Sequence, residues 1–108
     1  MMSRSHQDRF GKGRKAEERV ARNLRMHGAS VKLSPGSRTT VDLEARWPGG
    51  KRWMVQVKSG KCPRWPSTEE LQGLNSKATK KRATPVVAMV REEGITYFSA
   101  RCRRKLNL

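Results

Sequence analysis

Two short alternating stretches separated by a Pro-Gly-Gly turn constrain this chain more than any other feature. Residues 40–47 carry Val41, Leu43, Ala45 and Trp47 on one parity and Asp42, Glu44 and Arg46 on the other. Residues 52–58 carry Trp53, Val55 and Val57 against Met54, Gln56 and Lys58. Side chains of a strand alternate between its two faces, so each stretch reads as a half-buried strand. Pro48, Gly49 and Gly50 between them predict a hairpin. If both apolar sets share a face, opposed residues have equal parity. Trp47 opposite Trp53 satisfies this and sets Asp42 opposite Lys58 and Glu44 opposite Gln56. A slip of two residues also keeps parity. Either way, Asp42, Gln56 and Lys58 are expected together on one face.

The flanking segments complete an α-β-β-β-α-β-β order. Residues 1–12 are polar and basic and read as a flexible arm, with a single domain over 13–108. A first helix is expected from about Arg14 to His27, stopped by Gly28. At about 100° per residue from Ala16, Val20 falls near 40°, Leu24 near 80° and Ala21 near 140°. Glu17 falls near 100°, inside that stripe, and Glu18 near 200°, outside it. A carboxylate on the inward face is costly unless something compensates it, which singles out Glu17.

A strand over 29–33 precedes the hairpin. A second helix starts near Ser67, where Ser67 and Glu70 have capping-box spacing. Its apolar stripe is Leu71, Leu74 and Ala78, and Lys77, Lys80, Lys81 and Arg82 crowd its end. Residues 84–90 read as a buried central strand, Glu92 to Gly94 as a turn and 95–100 as a last strand, followed by a basic tail. A helical crossover between the third and fourth strands implies a mixed sheet.

Charge narrows the partner. Of 108 residues, 25 are Lys or Arg and 9 are Asp or Glu, a net charge of +16 spread along the whole chain. Such a field attracts polyanions, and nucleic acid is the commonest. The 34% hydrophobic content is low for a compact monomer and leaves room for a partner subunit to complete the apolar surface. No run of about 18 apolar residues exists, and the start has no apolar signal core, so neither a membrane span nor secretion is expected. Cys62 and Cys102 lie in no CxxC pair, which argues against a zinc site and for reduced thiols in a cytoplasmic protein. His6 and His27 show no ligand spacing.

Glu17, Asp42, Gln56 and Lys58 are the residues that can carry chemistry. Phosphodiester hydrolysis needs a hard cation, an activated water and stabilisation of the charge that develops on the phosphorus oxygens. Asp42 can bind Mg²⁺ directly, with Mn²⁺ as a substitute. Gln56 can add a side-chain oxygen, and Val57 its backbone carbonyl. Lys58 can polarise the attacking water, and Glu17 can hold a second metal or a metal-bound water. Arg14, Lys15, Arg38, Lys61, Arg64, Lys77, Lys80 and Lys81 are candidate DNA contacts, although the Lys-rich helix end equally fits a solvated face. Trp65, in the loop KCPRWP, can stack on a base or cover the core.

These segments, SPGSRTTVDLEA and then WMVQVKSG, resemble the PD-(D/E)xK nuclease core, and in particular the small archaeal Holliday junction resolvases. GRKAEER, residues 13–19, is similar to their N-terminal Gly-x-x-x-Glu helix and sets the family's Glu at Glu17. Asp42 and Lys58 match the core Asp and Lys, and Ser37 falls in their Ser-containing loop. The resemblance covers roughly residues 11–106. It implies a restriction-endonuclease-like fold, a homodimer with two active sites and metal-dependent cutting of branched DNA. One departure stands out: this chain has Gln56-Val57-Lys58 where the resolvases have Glu-x-Lys. The site loses one negative charge, although the superfamily includes Gln-x-Lys members, among them a transposon-end-cleaving nuclease. The competing expectations are a non-catalytic DNA- or RNA-binding module on the same fold and a basic ribosome-associated protein.

Overall fold

In the computed structural model, the described residues are 2–34 and 41–108, with side chains from Arg14 onward. Helix α1 spans Met2–Met26. It therefore begins well before the expected start at Arg14 and runs through the segment expected as an arm. That segment contains no Pro, and its Arg, Lys and Gln are good helix formers, so its polar character does not oppose a helix. The expected stripe is correct: Ala16, Val20, Ala21 and Leu24 are all buried. Gly28, at φ +91, ends the helix. The turn is closed by the Ala29 N–H donating to the Leu24 carbonyl at 3.0 Å.

Six strands form one sheet in sequence order: β1 (Ser30–Leu33), β2 (Leu43–Arg46), β3 (Arg52–Ser59), β4 (Thr84–Arg91), β5 (Gly94–Ser99) and β6 (Lys105–Leu106). β3 and β4 pair in parallel, and every other neighbour pair is antiparallel. The parallel pair is joined by helix α2, Thr68–Lys80, so the expected mixed sheet is present. β6 lies in what was expected to be a basic tail; Tyr97 and Phe98 of β5 give it an edge to pair with.

Alternation along the central strands builds two cores. Val55 of β3 and Val86, Ala88 and Val90 of β4 pack with the α1 stripe. Met54, Val87 and Met89 pack with Leu74 and Ala78 of α2. By the same parity, Gln56 and Lys58 lie on the α2 side of the sheet. Leu74 is completely buried, and truncating it to Ala is expected to cost about 2–5 kcal/mol.

The hairpin register differs from the expected one. Ala45 lies opposite Trp53 and Leu43 opposite Val55. This is the two-residue slip that parity permits, and it pairs Glu44 with Met54. The turn decides it: Trp47 N–H donates to the Lys51 carbonyl at 2.8 Å, closing a loop over 48–50. Gly49 and Gly50 there take φ of +97 and +100, a region that suits glycine. The indoles of Trp47 and Trp53 still meet edge to face, with centroids 5.1 Å apart.

A second correction concerns Val41. It packs with the α2-side core, whereas Leu43 packs on the α1 side. Strict alternation would put both on one face, so it breaks at Asp42.

Candidate active site

Asp42 stands just before β2 begins its pairing with β3, at the open end of the hairpin. Its backbone N–H donates to the Val55 carbonyl at 2.8 Å, and its Oδ2 accepts from the Val57 N–H at 2.7 Å. The carboxylate thus takes the place of a ladder acceptor just as the strands separate. This explains the break in alternation and fixes the side chain at the end of the hairpin. Burial pushes the Asp42 carboxyl above the usual carboxylate range, opposed by the Val57 hydrogen bond and the nearby positive charge of Lys58.

Glu17 reaches the same place from α1. It is half-buried, as the helix phase requires, while Glu18 is exposed. Burial raises the Glu17 carboxyl first, and the adjacent negative charge of Asp42 raises it further. Two carboxyls that are difficult to ionise beside each other have the electrostatics of a place completed by a cation. Glu18 pairs with Arg14, at 4.0 Å on the exposed helix face.

Gln56 is 6% exposed, the buried polar residue of the sheet. Its Nε2 donates to Glu70 Oε2. Its Oε1 is buried and has no hydrogen-bond partner among the described residues. A buried carbonyl oxygen without a donor costs about 1–3 kcal/mol, and a hard cation would satisfy it. Among the described residues, no three His, Cys, Asp or Glu side chains are grouped to hold a metal ion. The two carboxyls that act on each other are Glu17 and Asp42, and Asp42 is hydrogen-bonded to the Val57 N–H beside Gln56.

The ion pair of Lys58 is with Glu70 of α2. The Lys58 Nζ donates to Glu70 Oε2 at 2.8 Å. Glu70 is the site residue that sequence reasoning missed. Its spacing from Ser67 predicts a capping box, and the box is formed: Ser67 Oγ accepts from the Glu70 N–H, and Glu70 Oε1 accepts from the Ser67 N–H. The box occupies one oxygen and leaves the other to reach β3. The Lys58 ammonium holds the Glu70 carboxyl down at about 2.

The candidate DNA contacts fall on two surfaces. Lys15 and Lys61 line a groove with Arg19 and Arg91 beside Ser59 and Gly60, just past Lys58 at the end of β3, and Glu92 and Glu93 line its other part. Lys77, Lys80 and Lys81 line another with Glu44 and Met54. Arg14 and Arg64 are exposed. Arg19 and Arg91 were not expected here; Arg19 follows Glu17 by two residues and comes to the groove through a hydrogen bond to the Arg91 carbonyl at 3.0 Å. Ser37 and Arg38 lie outside the described residues. Trp65 covers the core: its ring meets Phe98 edge to face, and the Arg103 guanidinium lies over it at 4.6 Å. No described helix is long and apolar enough to cross a membrane.

No protein-family model matches the sequence, and no curated protein matches it. The fold is similar to that of Hjc from Archaeoglobus fulgidus, a Holliday junction resolvase from an archaeal hyperthermophile. The TM-score is 0.75 at 23% sequence identity, covering 83% of this chain and 74% of that one. The fold is thus restriction-endonuclease-like, a mixed six-stranded sheet flanked by two helices.

Proposed function

We propose that this chain is a metal-dependent, structure-selective DNA endonuclease of the Holliday junction resolvase type, hydrolysing phosphodiester bonds as a homodimer. The observation that carries the reading is the end of the β2–β3 hairpin. There the tethered Asp42 carboxylate feels both the Lys58 ammonium and, from α1, a half-buried Glu17, and Gln56 of the same strand as Lys58 keeps an unpartnered buried Oε1. A groove in which four basic residues outnumber Glu92 and Glu93 begins at Ser59, next to Lys58. The fold it shares with a resolvase supports the same reading.

Glu17, Asp42, Gln56 and the Val57 carbonyl would hold Mg²⁺ or Mn²⁺. When bound, such an ion supplies Lewis acidity to a phosphate oxygen and a more acidic water. The chain's own residues do the rest. Asp42 is held by the Val57 N–H, so its free oxygen has one direction in which to act. Lys58 presents an ammonium to the negative charge that builds up on the phosphate in the transition state. Lys15, Arg19, Lys61 and Arg91 bind the phosphates that flank the cut strand. Cleavage assays on four-way junctions, flaps, nicked and linear duplex and single strands, each with Mg²⁺ or Mn²⁺, test the proposal. Metal-dependent cutting that favours branched substrates is expected. Asp42→Asn and Lys58→Ala should abolish it with DNA affinity nearly intact, because Lys58 is one of 25 basic residues.

A second reading is a DNA-binding module that keeps the fold without catalysis. It is favoured by Gln56 in place of an acid and by Lys58 being already engaged with Glu70. Tight DNA binding with no cutting of any substrate in either metal would establish it.

A further inference from the structure

The acid missing from β3 has a counterpart on α2. Glu70 Oε2 contacts both β3 side chains of the Gln-x-Lys segment, the Nε2 of Gln56 and the Nζ of Lys58, while Oε1 is tied to the Ser67 N–H. With its two oxygens so divided, the carboxylate has little freedom to turn. An amide facing a carboxylate must present its N–H₂, since the flipped amide would set oxygen against oxygen. The carbonyl end of Gln56 is therefore turned away from Glu70, and this is the buried oxygen without a partner.

We infer that Glu70 is the positioning residue of this site. From the first turn of α2 it replaces the negative charge that β3 lacks at Gln56, fixes which end of the Gln56 amide faces the site, and holds the Lys58 ammonium at the strand end. The inference rests on the nuclease reading for its purpose, but not for its geometry.

A charge exchange tests it. In Glu70→Gln, the new amide can accept from the Ser67 N–H or accept from the β3 side chains, but its single oxygen cannot do both. In the double variant Gln56→Glu with Glu70→Gln, every group is satisfied again. The amide at 70 accepts from Ser67 and donates to the carboxylate at 56, which also pairs with Lys58. Ser67→Ala removes the hydroxyl end of the capping box and leaves the Glu70 carboxylate in place.

Mn²⁺ binding to the DNA-free protein, measured by calorimetry, should weaken about 10–100-fold in Glu70→Gln, the usual effect of losing a group that orients a metal ligand. It should recover in the double variant and be unchanged in Ser67→Ala. Equal affinity in the wild type and Glu70→Gln, or failure of the double variant to recover, would overturn the inference. If the wild type neither binds Mn²⁺ nor cuts DNA, the nuclease reading fails, and the side-chain amide resonances of Gln56 in the metal-free protein decide the positioning separately. Those resonances should shift and lose protection from hydrogen exchange in Glu70→Gln but not in Ser67→Ala. Resonances unmoved by Glu70→Gln would sink the inference on geometry alone.

Discussion

Glu17 and Asp42 both carry an electrostatic cost, partly offset at Asp42 by the Val57 N–H. Both carboxyls are raised chiefly by burial. A carboxyl raised in the folded state binds protons more readily there than in the unfolded chain, so its contribution to stability grows as pH falls. Glu17→Gln removes the charge and keeps the shape. It is expected to raise the melting temperature at neutral pH while weakening metal binding, whereas Glu18→Gln should change neither, since it breaks only an exposed pair. Thermal melts and calorimetry of the two variants check this.

Glu70 acts in the opposite direction. Its carboxyl lies at about 2 against an ordinary value of 4.5, mainly because of Lys58. The stability it contributes is present above 4.5 and lost as pH falls toward 2. Melting temperature followed over that range should fall less steeply in Glu70→Gln than in the wild type. Glu17 and Glu70 also mark what was legible at this scale. The 3.6-residue period places Glu17 inside the α1 stripe without any tertiary knowledge. Glu70 looked fully explained by its capping box, and nothing local reveals where its second oxygen goes.

At the scale of elements, local patterns were reliable where a single chemistry decides the outcome. Ser67 and Glu70 start α2 as their spacing predicts. Ser67→Ala should therefore cost about 0.5–2 kcal/mol in denaturant unfolding, and a loss below that range would mean that Pro66 and Glu70 hold the helix start without the hydroxyl. The β2–β3 hairpin was likewise legible, but its register was not. Alternation is unchanged by a slip of two, so only the closing bond between Trp47 and Lys51 distinguishes the two pairings. The side change at Asp42 escaped for a related reason. A strand that begins late and lets a carboxylate take over its ladder position reads in sequence as uninterrupted alternation. β6 is two residues long and exists only because β5 offers it an edge.

Over the whole molecule, if the chain binds DNA as proposed, a net charge of +16 should outweigh any single contact in setting the affinity. Each phosphate neutralised releases condensed counterions, giving a slope of about −0.9 in log affinity against log salt per contact on duplex DNA. With four basic residues around the groove beside the site, and two subunits as proposed, the slope on a four-way junction should be on the order of −6 or steeper. Titrations over a range of salt concentrations measure it, and a shallow slope would assign most of the basic surface to solvent. Replacing Lys15 and Lys61 with Ala should flatten the slope more than replacing Lys80 and Lys81 if the groove beside Lys58 carries the cut strand.

The parallel pairing of β3 with β4 has a kinetic consequence. Asp42 and the Val57 N–H belong to one hairpin, whose contacts are close in sequence and can form within microseconds. Glu70 is no farther from Gln56 and Lys58 in sequence, but α2 is held on the sheet by the core it shares with β4, and β4 must first pair with β3 across a longer loop, Thr84 opposite Trp53. During refolding the two halves of the site should mature at different times. The tether on Asp42 should come first, and the ion pair of Lys58 should appear with the last cooperative step. An early-folding species would then carry a formed hairpin and, at its open end, an ammonium without its Glu70 partner, free to attract an anion before the site is complete.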